Sequence, residues 1–411
     1  MRAIINTLIV LVCTAAVFAT GAAPAASVAP TATPTAAATT PAPAPSSTAT
    51  TPAEAALGKE TAKEIEKECK LIKDEKMIAK LNAMTAAIVP FTQRPDVIYN
   101  CKILDLGVIN AESIPGGTIY VTKGLLNAVE SDDELAGVLA HEMAHNSLRH
   151  VFKLRDKEKK ALPDQILLTL GAILVNSYSD TKVSPVDIAL AGEMIKQSIL
   201  NGYSVEVETE ADMNGIDYLY QSKKYSPVGL YSVILGFRQM EEDSVAPTVD
   251  ITSTSDHPAP DIRLENARKK LTHLHVPINL WRVVNFRASV VPPKDGATGF
   301  LLKLGAANIL TFTASDGDAD AKARANTAMA AINKALVESD TEATRFDVRA
   351  KVEADGARAA ITILNSPVLT LLPADLDPAS KLTFAQFVDQ VKESIRSVIS
   401  WEQIKRGDQQ L

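Results

Sequence analysis

The run His141-Glu142-Met143-Ala144-His145 sets two imidazoles four residues apart. On a helix that spacing puts both on one face, one turn apart, so both can offer a ring nitrogen to a single cation. Glu142 sits beside them without being aligned as a third ligand. Two histidines holding a metal, next to a carboxylate able to take a proton from water, are the parts of a zinc-dependent hydrolase. Such a site needs a third protein ligand and an open position for water. The segment from Tyr203 to Asp212 offers that ligand. Glu208 and Asp212 are four apart and face the same way. Glu208 can complete a His-His-Glu set, while Asp212 accepts a hydrogen bond from the far ring nitrogen of His141 and fixes its tautomer. Glu206 and Glu210 compete for the ligand role. His150, His273 and His275 have no spacing that brings them to the site, and they read as surface residues.

The elements that position these groups are legible in part. Ser131 and Glu134 form an S-x-x-E capping box, which starts a helix running to about Arg149. Ser204 to Gln221 and Pro227 to about Met240 read as further helices, and Glu54 to about Val89 as another. Val97 to Leu106 and Thr118 to Thr122 read as strands, the second entered through Pro115-Gly116-Gly117. Ile119, Tyr120 and Val121 are a candidate edge strand on which an extended peptide could pair by its backbone. Beyond about Pro292 the texture changes to a strand region (Leu301 to Thr313), an Ala-rich helix, three strands and a last helix from Phe384 to Arg406. This β-α-β-β-β-α succession reads as a separate C-terminal accessory domain, 293–406, with Trp401 its one conspicuous side chain. No internal repeat is evident.

The chain has 411 residues, enough for two domains, with 46% hydrophobic residues and a formal net charge of −7. The absence of a basic stripe argues against a nucleic-acid partner. Arg2, an apolar run to Phe18 and small residues after it read as a signal peptide over 1–22. The run is shorter than the roughly 20 residues of a spanning helix, and an uncleaved anchor is the alternative. Residues 23–56 are almost entirely Ala, Pro, Thr and Ser and read as an extended linker. Export would place the protein in the periplasm or outside the cell, tethered to the membrane if the signal stays. Cys69 and Cys101 could then pair, or could be two buried thiols. Ile166 to Val175 and Ile188 to Leu200 are too short to span a bilayer and read as packed helices, with membrane-surface association as the alternative for the first.

Four segments occur in one order: Asn110-Ala111 with Pro115-Gly116-Gly117 to Leu126; Ser131 to His145; Glu208-Thr-Glu-Ala-Asp212; and His257-Pro258 with Arg263. Together they resemble the zinc peptidases that include the CAAX-prenyl endoproteases and the bacterial HtpX-like and BepA-like proteases. Val205 departs from the Arg usual there, and the long spanning helices of membrane-embedded members are missing, so the resemblance is to the soluble, exported branch. It implies an α+β fold, with a mostly helical zincin-type (gluzincin-like) metallopeptidase domain over 57–285 that contains a small sheet, followed by the small α/β domain. It also implies one zinc ion per chain on His141, His145 and Glu208, with Glu142 as general base. For the oxyanion, His257 is the first candidate donor, with Arg263 and Tyr203 behind it. His257 could instead bind the zinc in the resting enzyme and exclude water. The implied function is a zinc-dependent endopeptidase of envelope protein quality control, acting on unfolded or misassembled polypeptides. The alternative is a catalytically silent, metal-stabilised chaperone or binding protein.

Overall fold

The computed structural model describes residues 50–153, 203–243, 260–292, 299–313, 318–377 and 379–406. The signal segment, nearly all of the linker, the apolar stretches 166–175 and 188–200, and His257 lie outside them. The fold is α+β.

The first helix, α1 (Pro52–Glu68), begins inside the expected linker, because Thr51 caps it by accepting from the Glu54 backbone N–H. Glu54 is 1% exposed and bonded to Arg94 Nη1 at 2.6 Å, with Arg149 Nη2 at 3.4 Å. The expected single helix from Glu54 to Val89 is in fact two. Leu71–Ile72 leave it as a short strand, β1, and α2 (Glu75–Ile88) restarts under an Asp74 cap. The break is tertiary in origin, since Leu71 and Ile72 pair with the second strand.

Strands β2 (Asn100–Leu104), β3 (Ala111–Ile114) and β4 (Thr118–Thr122) complete a four-stranded sheet of order β1-β2-β4-β3. The order corrects the edge assignment: Ile119, Tyr120 and Val121 lie in the interior, and β3 is the edge. The β3–β4 hairpin turns at Gly116 and Gly117, whose φ of 86° and 95° fall where side chains are disfavoured. Cys69 packs on one face of this sheet with Leu57 and Tyr120, and Cys101 on the other with Ile119 and Leu139. The two therefore do not bridge to each other, and burial pushes the Cys101 thiol up to about 12.

After α3 (Lys123–Ala128) comes α4 (Asp132–Ser147), buried on nearly every side. It is wrapped by α5 (Val205–Ser222) and α6 (Val228–Asp243), with α7 (Pro260–His273) packed on both. A Cβ on Gly137 would meet Leu230 N at 2.6 Å, so the α4–α6 crossing requires glycine there.

The C-terminal part differs from the expected β-α-β-β-β-α. The strand region is a hairpin, β6 (Phe300–Leu304) and β7 (Ala307–Phe312), joined by β5 (Ala288–Val291). Helix α8 (Asp318–Val337) follows, then β8 (Val348–Val352), β9 (Ala359–Ile363), β10 (Ser366–Leu371) and α9 (Phe384–Lys405). The order is thus βββα twice. Each helix packs on both three-stranded sheets, α8 on β5 and β10, α9 on β7 and β8. Trp401 stands exposed on α9. One apolar core runs from Leu139 through Trp281 to Ile399, so the sequence boundary near residue 290 is crossed by continuous packing. Among the described residues no helix is long and apolar enough to cross a membrane.

Candidate metal centre

Helix α4 carries His141, Glu142 and His145 into the interior at 4%, 2% and 2% exposure. A buried helix bearing three such polar groups needs partners for each. Helix α5 supplies two of them. It starts at the Ser204 cap, so Glu208 lies in its first turn, where the positive end of the helix favours a carboxylate. Gly215 lets α5 come close, since a Cβ there would sit 3.3 Å from His141 N.

Three donor groups meet at one place. His141 Nε2 and His145 Nε2 are 3.0 Å apart. Glu208 faces both, its Oε2 3.4 Å from the first and its Oε1 3.3 Å from the second. Tetrahedral zinc with bonds of about 2.0–2.1 Å sets its ligand atoms about 3.3 Å apart. The two ring nitrogens and the carboxylate, which turns one oxygen to each, are therefore spaced closely enough to share such an ion. A pair of ring nitrogens facing each other with a carboxylate between is also the donor chemistry a divalent cation satisfies. The other acidic competitors are elsewhere: Glu210 reaches His150, and among the described residues His141, His145 and Glu208 form the one grouping of metal-binding type.

Behind the donors stands a second layer of charge. His141 Nδ1 faces Asp212 Oδ1 at 2.9 Å. Arg263 donates to both Asp212 oxygens, from Nε at 2.7 Å and Nη2 at 2.8 Å, and its Nη1 lies 3.2 Å from Glu208. Burial pushes the His141 imidazole down, but Asp212 and Glu208 outweigh it and hold it up at about 10. A cation entering the site replaces that proton. Burial pushes the Asp212 carboxyl up; Arg263, then His141, outweigh it and hold it below its usual range. Arg263 is likewise shifted upward by the same carboxylates against burial. The structure thus places Arg263 where its guanidinium is engaged by two carboxylates, Asp212 and Glu208.

Glu142 is fixed from the sheet. Its Oε2 accepts the Ser113 N–H at 2.8 Å and its backbone carbonyl accepts the Ser113 hydroxyl at 2.7 Å. Glu112 and Tyr120 face one another across the β3–β4 ladder, and the Thr122 N–H bonds the Asn110 carbonyl. By antiparallel alternation, the backbone groups of Ala111 and Ser113 turn outward. Two clefts flank the donors along this edge. One holds Ala111, His141, Glu142 and Arg263 against apolar walls that include Val138, Leu230 and Phe237. The other is lined by Ser113, His145, Asn146, Arg149 and Tyr203.

Two features escaped the sequence reading. His150, expected at the surface, is 1% exposed and lies 3.0 Å from His145, Nδ1 to Nδ1. Tyr203 stacks on the His145 ring with centroids 4.4 Å apart. His273 and His275 are exposed, as expected.

Residues 75–271 match the family model described as peptidase family M48. The chain is 25% identical over 221 residues to the beta-barrel assembly-enhancing protease of Yersinia pestis, covering 53% of this chain and 44% of that protein. It is 28% identical over 174 residues to metalloprotease LoiP of Escherichia coli (strain K12), covering 42% of this chain and 63% of that one. It is also 28% identical over 165 residues to mitochondrial metalloendopeptidase OMA1 of Saccharomyces cerevisiae, covering 39% and 43%. The chain thus spans less than two thirds of the length of each of these relatives.

Proposed function

We propose, from the premise that residues 75–271 are a peptidase family M48 domain, that this chain is a zinc-dependent endopeptidase that cleaves extended segments of unfolded polypeptide. The observation that carries the reading is the buried grouping of His141, His145 and Glu208, close enough together to share one cation and flanked by Glu142. Zinc bound there would acidify a water molecule and polarise the scissile carbonyl. Glu142, anchored through one carboxylate oxygen by Ser113, is placed to take the proton of the attacking water and pass it to the leaving amine. Asp212 holds His141 in the tautomer that offers Nε2 to the cation.

The substrate pairs with the outer edge of β3 between the two clefts, where Ala111 presents its backbone groups and Ser113 its carbonyl, the Ser113 N–H being held by Glu142. Backbone pairing is indifferent to sequence, which suits unfolded chains. The apolar cleft beside Glu142 adds a preference for one hydrophobic side chain. A relative whose name ties it to β-barrel assembly supports a role in envelope protein quality control, with export by the N-terminal segment.

The deciding experiment is cleavage of casein by the purified protein, before and after chelation, with metal content measured. Cleavage is expected to stop on chelation and return with one equivalent of zinc. Cleavage that survives complete metal removal, or none at stoichiometric zinc, sinks the proposal. His257 keeps its place as the first candidate oxyanion donor: His257→Ala is expected to abolish cleavage with zinc retained. A rise in activity would assign it the blocking role instead.

A further inference from the structure

A metal-binding imidazole needs its second ring nitrogen held, because that contact fixes both the tautomer and the ring orientation. The two histidines of this site are held by different devices. His141 leans directly on the Asp212 carboxylate at 2.9 Å. At the same position on His145, Nδ1 meets Nδ1 of His150 at 3.0 Å. His150 Nε2 in turn lies 3.2 Å from Glu210 Oε2. The His150 ring stands edge-on to His145, with an interplanar angle of 86°, while Tyr203 stacks on the His145 ring.

Chain geometry shows that this placement is built in. Helix α4 ends at Ser147, and Arg149 then adopts φ 55°. A non-glycine residue in the left-handed region is uncommon and costs free energy. Here it turns the chain so that His150 falls back under the last helical turn. Arg149 is itself held by Glu54 of α1.

Proton placement follows from the distances. Two ring nitrogens 3.0 Å apart share one proton. If His145 Nε2 offers its lone pair to the cation, His145 Nδ1 carries the proton and donates it. His150 Nδ1 must then accept, which leaves the His150 proton on Nε2, pointed at Glu210. We propose that His150 is a positioning residue for the ligand His145, and that Glu210 acts through it by fixing its tautomer. The carboxylate support given to His141 at first hand thus reaches His145 through an intervening imidazole. This rests on the zinc reading above.

The test is zinc affinity, measured by competition with a chromophoric chelator, together with the visible spectrum of the cobalt(II)-loaded protein. His150→Phe is expected to weaken zinc binding by about 10–100-fold, the range for lost support of a ligating histidine. His150→Gln should recover most of it, since its amide can accept from His145 and donate to Glu210. The Glu210 side chain is 44% exposed, so Glu210→Gln is expected to fold normally and to weaken zinc a few-fold. In the double variant, Glu210→Gln should add nothing to His150→Phe, because its path is already cut. Unchanged affinity and cobalt spectrum in Glu210→Gln, or additive losses in the double variant, overturn the relay. A wild-type protein that fails to take up one zinc sinks the metal reading, and the relay with it.

Discussion

Glu142→Gln is expected to lower kcat on a peptide substrate by about 10²–10⁴-fold, the usual contribution of a general base, while zinc content and melting temperature stay at wild-type values. The two halves of this expectation come from the same contacts. Glu142 is buried, and one carboxylate oxygen accepts the Ser113 N–H while the other side of the group lies on the cleft. Glutamine has nearly the same volume and keeps an oxygen for Ser113, so the helix-to-sheet tie survives. It cannot take up a proton, so the attacking water is no longer deprotonated. KM should change little, because the backbone edge of β3 is untouched. Activity assays with parallel metal analysis and thermal melts check the result. A variant that cleaves at the wild-type rate would remove Glu142 from the chemistry, and one that loses its zinc would reassign it to holding the site.

The parts of this site that the sequence made legible are those with a local period. His141 and His145, and Glu208 and Asp212, are two i,i+4 pairs on two helices, and helical spacing alone puts each pair on one face. What brings the two helices together is not periodic: it is Gly215, lying where α5 passes His141. His150 was misjudged for a related reason. It follows the end of α4, where spacing arguments stop, and its direction is set by the left-handed turn at Arg149. A β-strand has a local signature, but its neighbours do not. Thr118–Thr122 was found because Thr, Ile, Tyr and Val favour strands. Its interior position depends on β3, whose Ala-Glu-Ser-Ile composition signals little by itself. In the C-terminal part a turn at Gly305, φ 57°, split one expected strand into a hairpin, and the doubled βββα order appeared only with it. Arg263 was singled out as a candidate oxyanion donor, but its partners Asp212 and Glu208 come from α5 and are invisible in its own segment.

Arg263→Ala is expected to destabilise the protein by about 3–5 kcal/mol, the cost of breaking a buried charge cluster from one side. Arg263 is 2% exposed, and Asp212 and Glu208 are each at 0%. Its guanidinium spans both carboxylates, two contacts on one and one on the other. With it gone, Asp212 remains buried against His141, and Glu208 against His141 and His145. One of the two carboxylates must then take a proton or draw in water, and either change disturbs the ligand grouping. A cation at the site would neutralise part of that charge, so the loss should be larger in chelated protein than in zinc-loaded protein. Arg263→Lys should recover only part of the stability, since an ammonium cannot span both groups with a planar fork. Melting curves with and without chelator check this, read beside kcat. A donor aimed at the developing oxyanion would behave oppositely: its loss would lower kcat by roughly 10²–10³ and leave the melting temperature in place. The bidentate grip on Asp212 predicts the first pattern, with stability and metal retention falling together and catalysis falling through them.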